Sequence, residues 1–163
     1  MNNVVVLLGV TPTKEWVDYC QKHELEFYNL PSDVSKLYVF DLLFQSDVTN
    51  VDKILLVTKD CLPPNNNLFK KDKGTIYGYH VDEQKENKYL SEYFYNFQLD
   101  DKLYLDDKIL LIDSSHKRLL DSIKIMYKEF HEDLVKLHQS GINVERGLIN
   151  YFIHIFNIQF EIL

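Results

Sequence analysis

Ile54-Leu55-Leu56-Val57 is an unbroken apolar run inside a polar frame, VDKILLVTKDCLPP, from Val51 to Pro64. Four apolar residues without alternation, closed by turn signals, read as a strand covered on both faces. Pro63-Pro64 stops regular structure from continuing. A strand buried on both sides calls for a sheet sandwiched between helices. In open sheets of that kind, ligands bind beyond the carboxyl ends of the strands. The polar tip of the run, Thr58-Lys59-Asp60, is therefore where chemistry is expected.

The chain before this run follows the same logic. Val4 to Gly9 (VVVLLG) is a first buried strand, and Thr11-Pro12-Thr13 opens a helix whose apolar face is Trp16, Val17 and Cys20. Leu25 to Tyr28 is a short second strand. Ser32 to Gln45 is helical, with Ser32 or Ser35 as cap. The resulting β-α-β-α-β order predicts a parallel sheet.

Downstream, Gly74 to Val81 reads as a strand with a glycine inside it, and the polar stretch Asp82 to Lys88 as exposed. Leu90 to Leu105, rich in rings and acids, carries no clear period. Ile109 to Ile112 (ILLI) is another buried strand. Asp113-Ser114-Ser115 caps one long helix with apolar positions from Leu119 to Leu137, and Gly141 closes it. A helix over about 145–156 and a terminal strand over 158–163 complete the chain.

Composition narrows the class. The chain has 163 residues and 45% of them are hydrophobic, enough for one domain with a real core. Its 25 acids against 18 bases give a net charge of −7, which argues against nucleic acid as the main partner. Two cysteines, Cys20 and Cys61, are too few for a disulfide framework and read as reduced and buried. The start, MNNVVVLLGV, lacks signal-peptide features, and no apolar run has the length of a membrane span. A soluble protein of the cytoplasm or another reducing compartment is expected. The abundance of Asn, Lys, Ile and Tyr suits an AT-rich genome, such as that of a virus, for which a place in the virion would follow.

Three stretches, in order, carry a family resemblance. Lys36-Leu37 opening a helix, followed by VDKILLVTKD, resembles the "yD-k-v-l-y-l-D-x-D" strand of GT-A fold glycosyltransferases, particularly the glycogenin and galactosyltransferase-like group. LYLDDKILLIDSSHKRLL resembles their "y-f-N-x-G-v-x-l-i-d" strand and helix, and ERGLIN their "D-Q-x-x-L-N" helix start. The resemblance is strongest over 16–69 and 104–156. It implies an α/β, GT-A-like (Rossmann-like) mostly parallel sheet flanked by helices, a single nucleotide-sugar domain over 1–163. It also implies donor-binding positions at Thr58, Asp60, Asp106, Lys108, Glu145 and Arg146.

In that family the paired aspartates hold Mn²⁺ or Mg²⁺ against the diphosphate, since hard cations need several oxygen ligands. Here Thr58 stands for the first aspartate and only Asp60 remains. Asp106 replaces the asparagine, Lys108 the glycine and Arg146 the glutamine, while Glu145 is a fair substitute for the aspartate. The chain also ends at Leu163, before the acceptor-binding segments and metal-binding histidine of family members. The expectation is a catalytically impaired relative kept as a binding or structural subunit. The alternative is a small active transferase using Asp60 and basic residues.

Each candidate has a plainer reading beside it. Asp60 is either a residual metal ligand or a loop carboxylate before Pro63. Lys59, Lys108 and Arg146 are either a fixed cationic site for a diphosphate or solvated cations. The six histidines show no metal spacing. Asp113, Ser114 and His116 suggest a nucleophile, but capping explains them more simply. Tyr89, Tyr93, Phe94, Tyr95 and Phe97 could stack a base or sugar; contact with a protein partner or a second copy is preferred.

Overall fold

The computed structural model describes residues 2–36, 38–40, 51–65, 67–93, 99 and 103–163. Six strands form one sheet: β1 (Asn2–Leu8), β2 (Glu26–Leu30), β3 (Val51–Val57), β4 (Thr75–His80), β5 (Leu105–Asp113) and β6 (Gln159–Ile162). Their order across the sheet is β2-β1-β3-β5-β4-β6. β1 runs parallel to β2 and β3, and β4 parallel to β6, so the sheet is mostly parallel. β5 runs against both its neighbours. That reversal brings the start of β5 beside the end of β3, where the Thr58 amide donates to the Lys108 carbonyl at 3.0 Å.

Alternation along the strands sorts the core into two layers. Val4, Val6, Ile54, Leu56, Leu110 and Ile112 share one apolar cluster with α3 (Lys117–Glu129), α4 (His131–Gln139) and α5 (Val144–Ile155). Val5, Leu7, Leu55, Val57, Ile109 and Leu111 pack with Trp16, Tyr19 and Cys20 of α1 (Lys14–Lys22) and with Leu68 and Phe69. All seven residues of β3 are buried, as a strand covered on both faces must be. Trp16 also ties down the loop after β3, since its Nε1–H donates to the Cys61 carbonyl at 2.8 Å. Cys20 is buried, Cys61 half-buried, and both are free thiols. Of the expected helix over Ser32 to Gln45, Lys36 and residues 38–40 are helical; 41–50 lie outside the described residues.

Two expectations are corrected. Asp82, Glu83, Lys85 and Lys88 are exposed as expected, but a short helix, α2 (Lys85–Leu90), buries Glu86 and Asn87. Long-range polar partners, described below, make that burial tolerable. The long helix after Asp113 is also divided. A 3-10 turn over Ser114–His116 leads into α3, and Phe130, with φ −116 and ψ 33, separates α3 from α4. Neither glycine nor proline marks the break, so the apolar period runs through it without a signal. The cap is Asp113 itself, whose carboxylate accepts from the Ser115 amide at 2.8 Å.

Of the aromatic stretch, Tyr93 is partly buried and meets Phe130 at 6.4 Å between ring centroids, while Tyr89 is 38% exposed. Phe94, Tyr95 and Phe97 lie outside the described residues. Among the described residues no helix is long and apolar enough to cross a membrane.

Candidate functional site

The carboxyl ends of β1 and β3 open onto a hollow of about 450 Å³. Gly9, at φ +68, turns the chain out of β1, and a Cβ there would lie 2.7 Å from the Ser32 Cβ. Only glycine lets the loop over 31–35 approach so closely. That loop, Thr58 and Lys59, and the start of α5 together line the hollow.

An ion cluster strings these parts together. The Lys36 ammonium pairs with Asp107 Oδ2 and stands 3.6 Å from Glu145 Oε2. Asn143 caps α5, accepting from the Arg146 amide at 3.2 Å, and its Nδ2 donates to the same Asp107 oxygen at 2.7 Å. The Ser35 hydroxyl donates to Glu145 Oε1 at 3.4 Å. Burial pushes the Asp107 carboxyl up, but the Lys36 charge and hydrogen bond, with that of Asn143, outweigh it. The net result is a carboxyl lowered to about 2. Its other oxygen, Oδ1, has no hydrogen-bond partner. Burial, reinforced by the Glu145 carboxylate, likewise pushes the Tyr127 phenol up, and that hydroxyl is also unpartnered.

A second cluster stands behind the first. Arg146 donates Nε to Glu86 Oε1 at 2.5 Å, Nη2 to Glu86 Oε2 at 2.8 Å and Nη1 to Asp106 Oδ1 at 3.3 Å. Lys59 lies 3.8 Å from the same Asp106 oxygen. Tyr104 OH donates to Glu86 Oε1 at 2.7 Å, and burial followed by the Glu86 charge pushes that phenol far up. Asn150 clamps the start of β5, accepting the Leu105 amide at 2.8 Å and donating to its carbonyl at 2.9 Å.

The six positions singled out by resemblance do not share one cleft. Thr58 and Glu145 line the hollow, and Asp106 and Arg146 belong to the adjacent cluster. Lys108 is on the other face of the sheet, its ammonium 5.8 Å from the Tyr79 ring, lining a separate hollow of about 770 Å³ with Cys61 and Tyr77. Lys108 shares its face with the adjacent Ile109, a break in strict alternation that falls where the β4–β5 ladder shifts register, Gly78 pairing Leu110 and His80 pairing Leu105. The same irregularity lets both Asp106 and Asp107 reach partners on α5 and its cap. Asp60 is exposed and lines neither hollow.

Sequence reasoning passed over Asp107, Asn143 and Glu86. An Asn just before the helix of Val144 is a capping signal for Asn143. Nothing local marks Glu86, whose partners are 18 and 60 residues away.

The donor set does not suit a divalent ion. Thr58 Oγ1 donates to the Asp107 carbonyl at 2.7 Å, and the Lys36 ammonium already engages two of the three carboxylates lining the hollow, Asp107 and Glu145, leaving only Asp33. Among the described residues no group of three or more His, Cys, Asp or Glu is placed to hold a metal. What lines the hollow instead is hydrogen-bonding groups, the Ser32 hydroxyl and the Lys59 ammonium, with the unpartnered Asp107 Oδ1 enclosed behind them. No protein-family model matches the chain, and no curated protein matches its sequence.

Proposed function

We propose that the protein is a glycosyltransferase-like domain that holds a nucleotide-sugar without metal-dependent transfer and serves as a binding or structural subunit. The observation that carries the reading is Lys36 between Asp107 and Glu145. A fixed ammonium neutralises the carboxylates that would otherwise recruit a divalent cation. Support also comes from the three stretches of the resemblance, which supply Thr58, Asp107 and Glu145 to one hollow at the carboxyl end of β3. Fold-level analogy does the rest, and it is analogy. A partner chain would meet the exposed side of α2, where Tyr89 is the open ring.

Calorimetry with a panel of nucleotide-diphosphate sugars, with and without Mn²⁺, tests the reading. Saturable binding that ignores the metal, with no nucleoside diphosphate released, is the expected result. Metal-dependent release would favour the active transferase instead. No binding to any donor would leave only the structural role, which light scattering with and without Tyr89→Ser would then examine.

A further inference from the structure

We infer that a hollow of about 330 Å³ at the amino end of α3 binds a small oxyanion, a phosphate or carboxylate group. It is bounded by the start of β4, the 114–116 turn and the turn from α5 into β6. This is not the hollow discussed above. Ser114 reaches Asp52 near the start of β3, at 3.3 Å, whereas Thr58 follows its end. The two places are separated by roughly 20 Å, the length of a seven-residue strand.

His116 forms part of the wall and is 4% exposed. Its Nδ1 accepts the Asp113 amide at 3.1 Å, so the neutral ring carries its proton on Nε2. The Asp113 carboxylate, 3.5 Å from the same Nδ1, does not change this assignment, because a nitrogen that accepts an N–H has no proton to donate. Nε2 has no hydrogen-bond partner. A buried donor left unmet is costly, and the hollow beside it is where an acceptor would come from.

Arg118 supplies the charge. Its guanidinium carbon sits 4.1 Å from the Phe156 ring centroid, and both residues line the hollow. That contact anchors the guanidinium, and among the described residues no acceptor engages its N–H groups, which suit a planar or tetrahedral oxyanion. None of the described residues lining the hollow is an acid. The Asp113 carboxylate, just before the 114–116 turn, is already engaged by the Gly74 amide at 2.7 Å and by Ser115. The first turn of α3 adds a favourable dipole.

The test is side-chain ¹⁵N NMR of the full chain titrated with inorganic phosphate and, separately, acetate, against chloride at matched ionic strength. A saturable shift of the His116 Nε2–H signal is expected, weakened roughly tenfold in Arg118→Gln, the loss of one charge-assisted contact. His116→Asn keeps an acceptor near the Nδ1 position and deletes the buried donor, so it should lose binding. Because Arg118 is exposed, Arg118→Gln keeps the test open if the histidine variant fails to fold. Response to phosphate alone assigns the site to phosphate groups, and response to acetate alone to carboxylates. No saturable shift with either anion, or equal binding in Arg118→Gln, overturns the inference and leaves a water-filled hollow.

Discussion

Arg146 and Glu86, 60 residues apart in sequence, face each other through two parallel hydrogen bonds of 2.5 and 2.8 Å. The pair joins α5 to α2 and is almost wholly enclosed, with Glu86 1% exposed. Hydrogen bonding to Glu86 raises the guanidinium above its already high range against the opposing effect of burial. Removing one partner of such a pair leaves a buried charge uncompensated. Arg146→Met is expected to cost about 3–5 kcal/mol in urea unfolding, and Glu86→Leu added to it to recover most of the loss. Equal instability of the single and double variants would contradict this.

Asp107 sets an acid limit. Its carboxyl lies at about 2, below the usual 3.8, so the unfolded chain takes up that proton first. The stabilisation is complete above about pH 4 and is lost as pH falls toward 2, a contribution of about 2 kcal/mol. Comparing unfolding free energies of the parent and Asp107→Asn across this window isolates it from Asp113, which hydrogen bonds also lower despite its burial. The parent should show the steeper fall.

Lys36 links stability to the metal question. Lys36→Met leaves Asp107 and Glu145 without their shared cation and should cost about 3 kcal/mol at neutral pH. Mn²⁺ should then raise the melting temperature of the variant more than that of the parent, because only in the variant are Asp107 and Glu145 released from Lys36 to bind it together. A parent that responds to Mn²⁺ as strongly as the variant would remove the basis for a metal-independent site.

Gly147 reports on the contact between α5 and α2. A Cβ there would lie 2.3 Å from Leu90 Cδ1 and 3.0 Å from Glu86 Cγ. Helix propensity favours alanine by about 1 kcal/mol, but overpacking a buried leucine costs roughly 1–3 kcal/mol. Gly147→Ala should therefore be destabilising by about 1 kcal/mol. Combined with Leu90→Ala, the two changes should cost less than their sum, since the new methyl enters the space vacated.

The residues by themselves determined the scaffold around β1, β3 and β5. Short all-apolar runs such as Ile54–Val57 have one economical solution, a strand covered on both faces, and that solution is local to the run. The helix of Val144 is legible for the same reason, since its period acts within a few residues, while its Asn143 cap carries a local signal that the sequence reading passed over. Tertiary structure alone decided the polar side. Glu86 reads as a solvated acid until Arg146 and Tyr104 arrive from 60 and 18 residues away. The break at Phe130 has no local marker either. Above all, the six candidate positions were selected along the chain, whereas a site is selected in space. The start of β5 turns Asp107 toward Lys36 and Asn143 and Lys108 to the opposite face, and it took the strand's register, irregularity included, to say which of the two would meet the hollow.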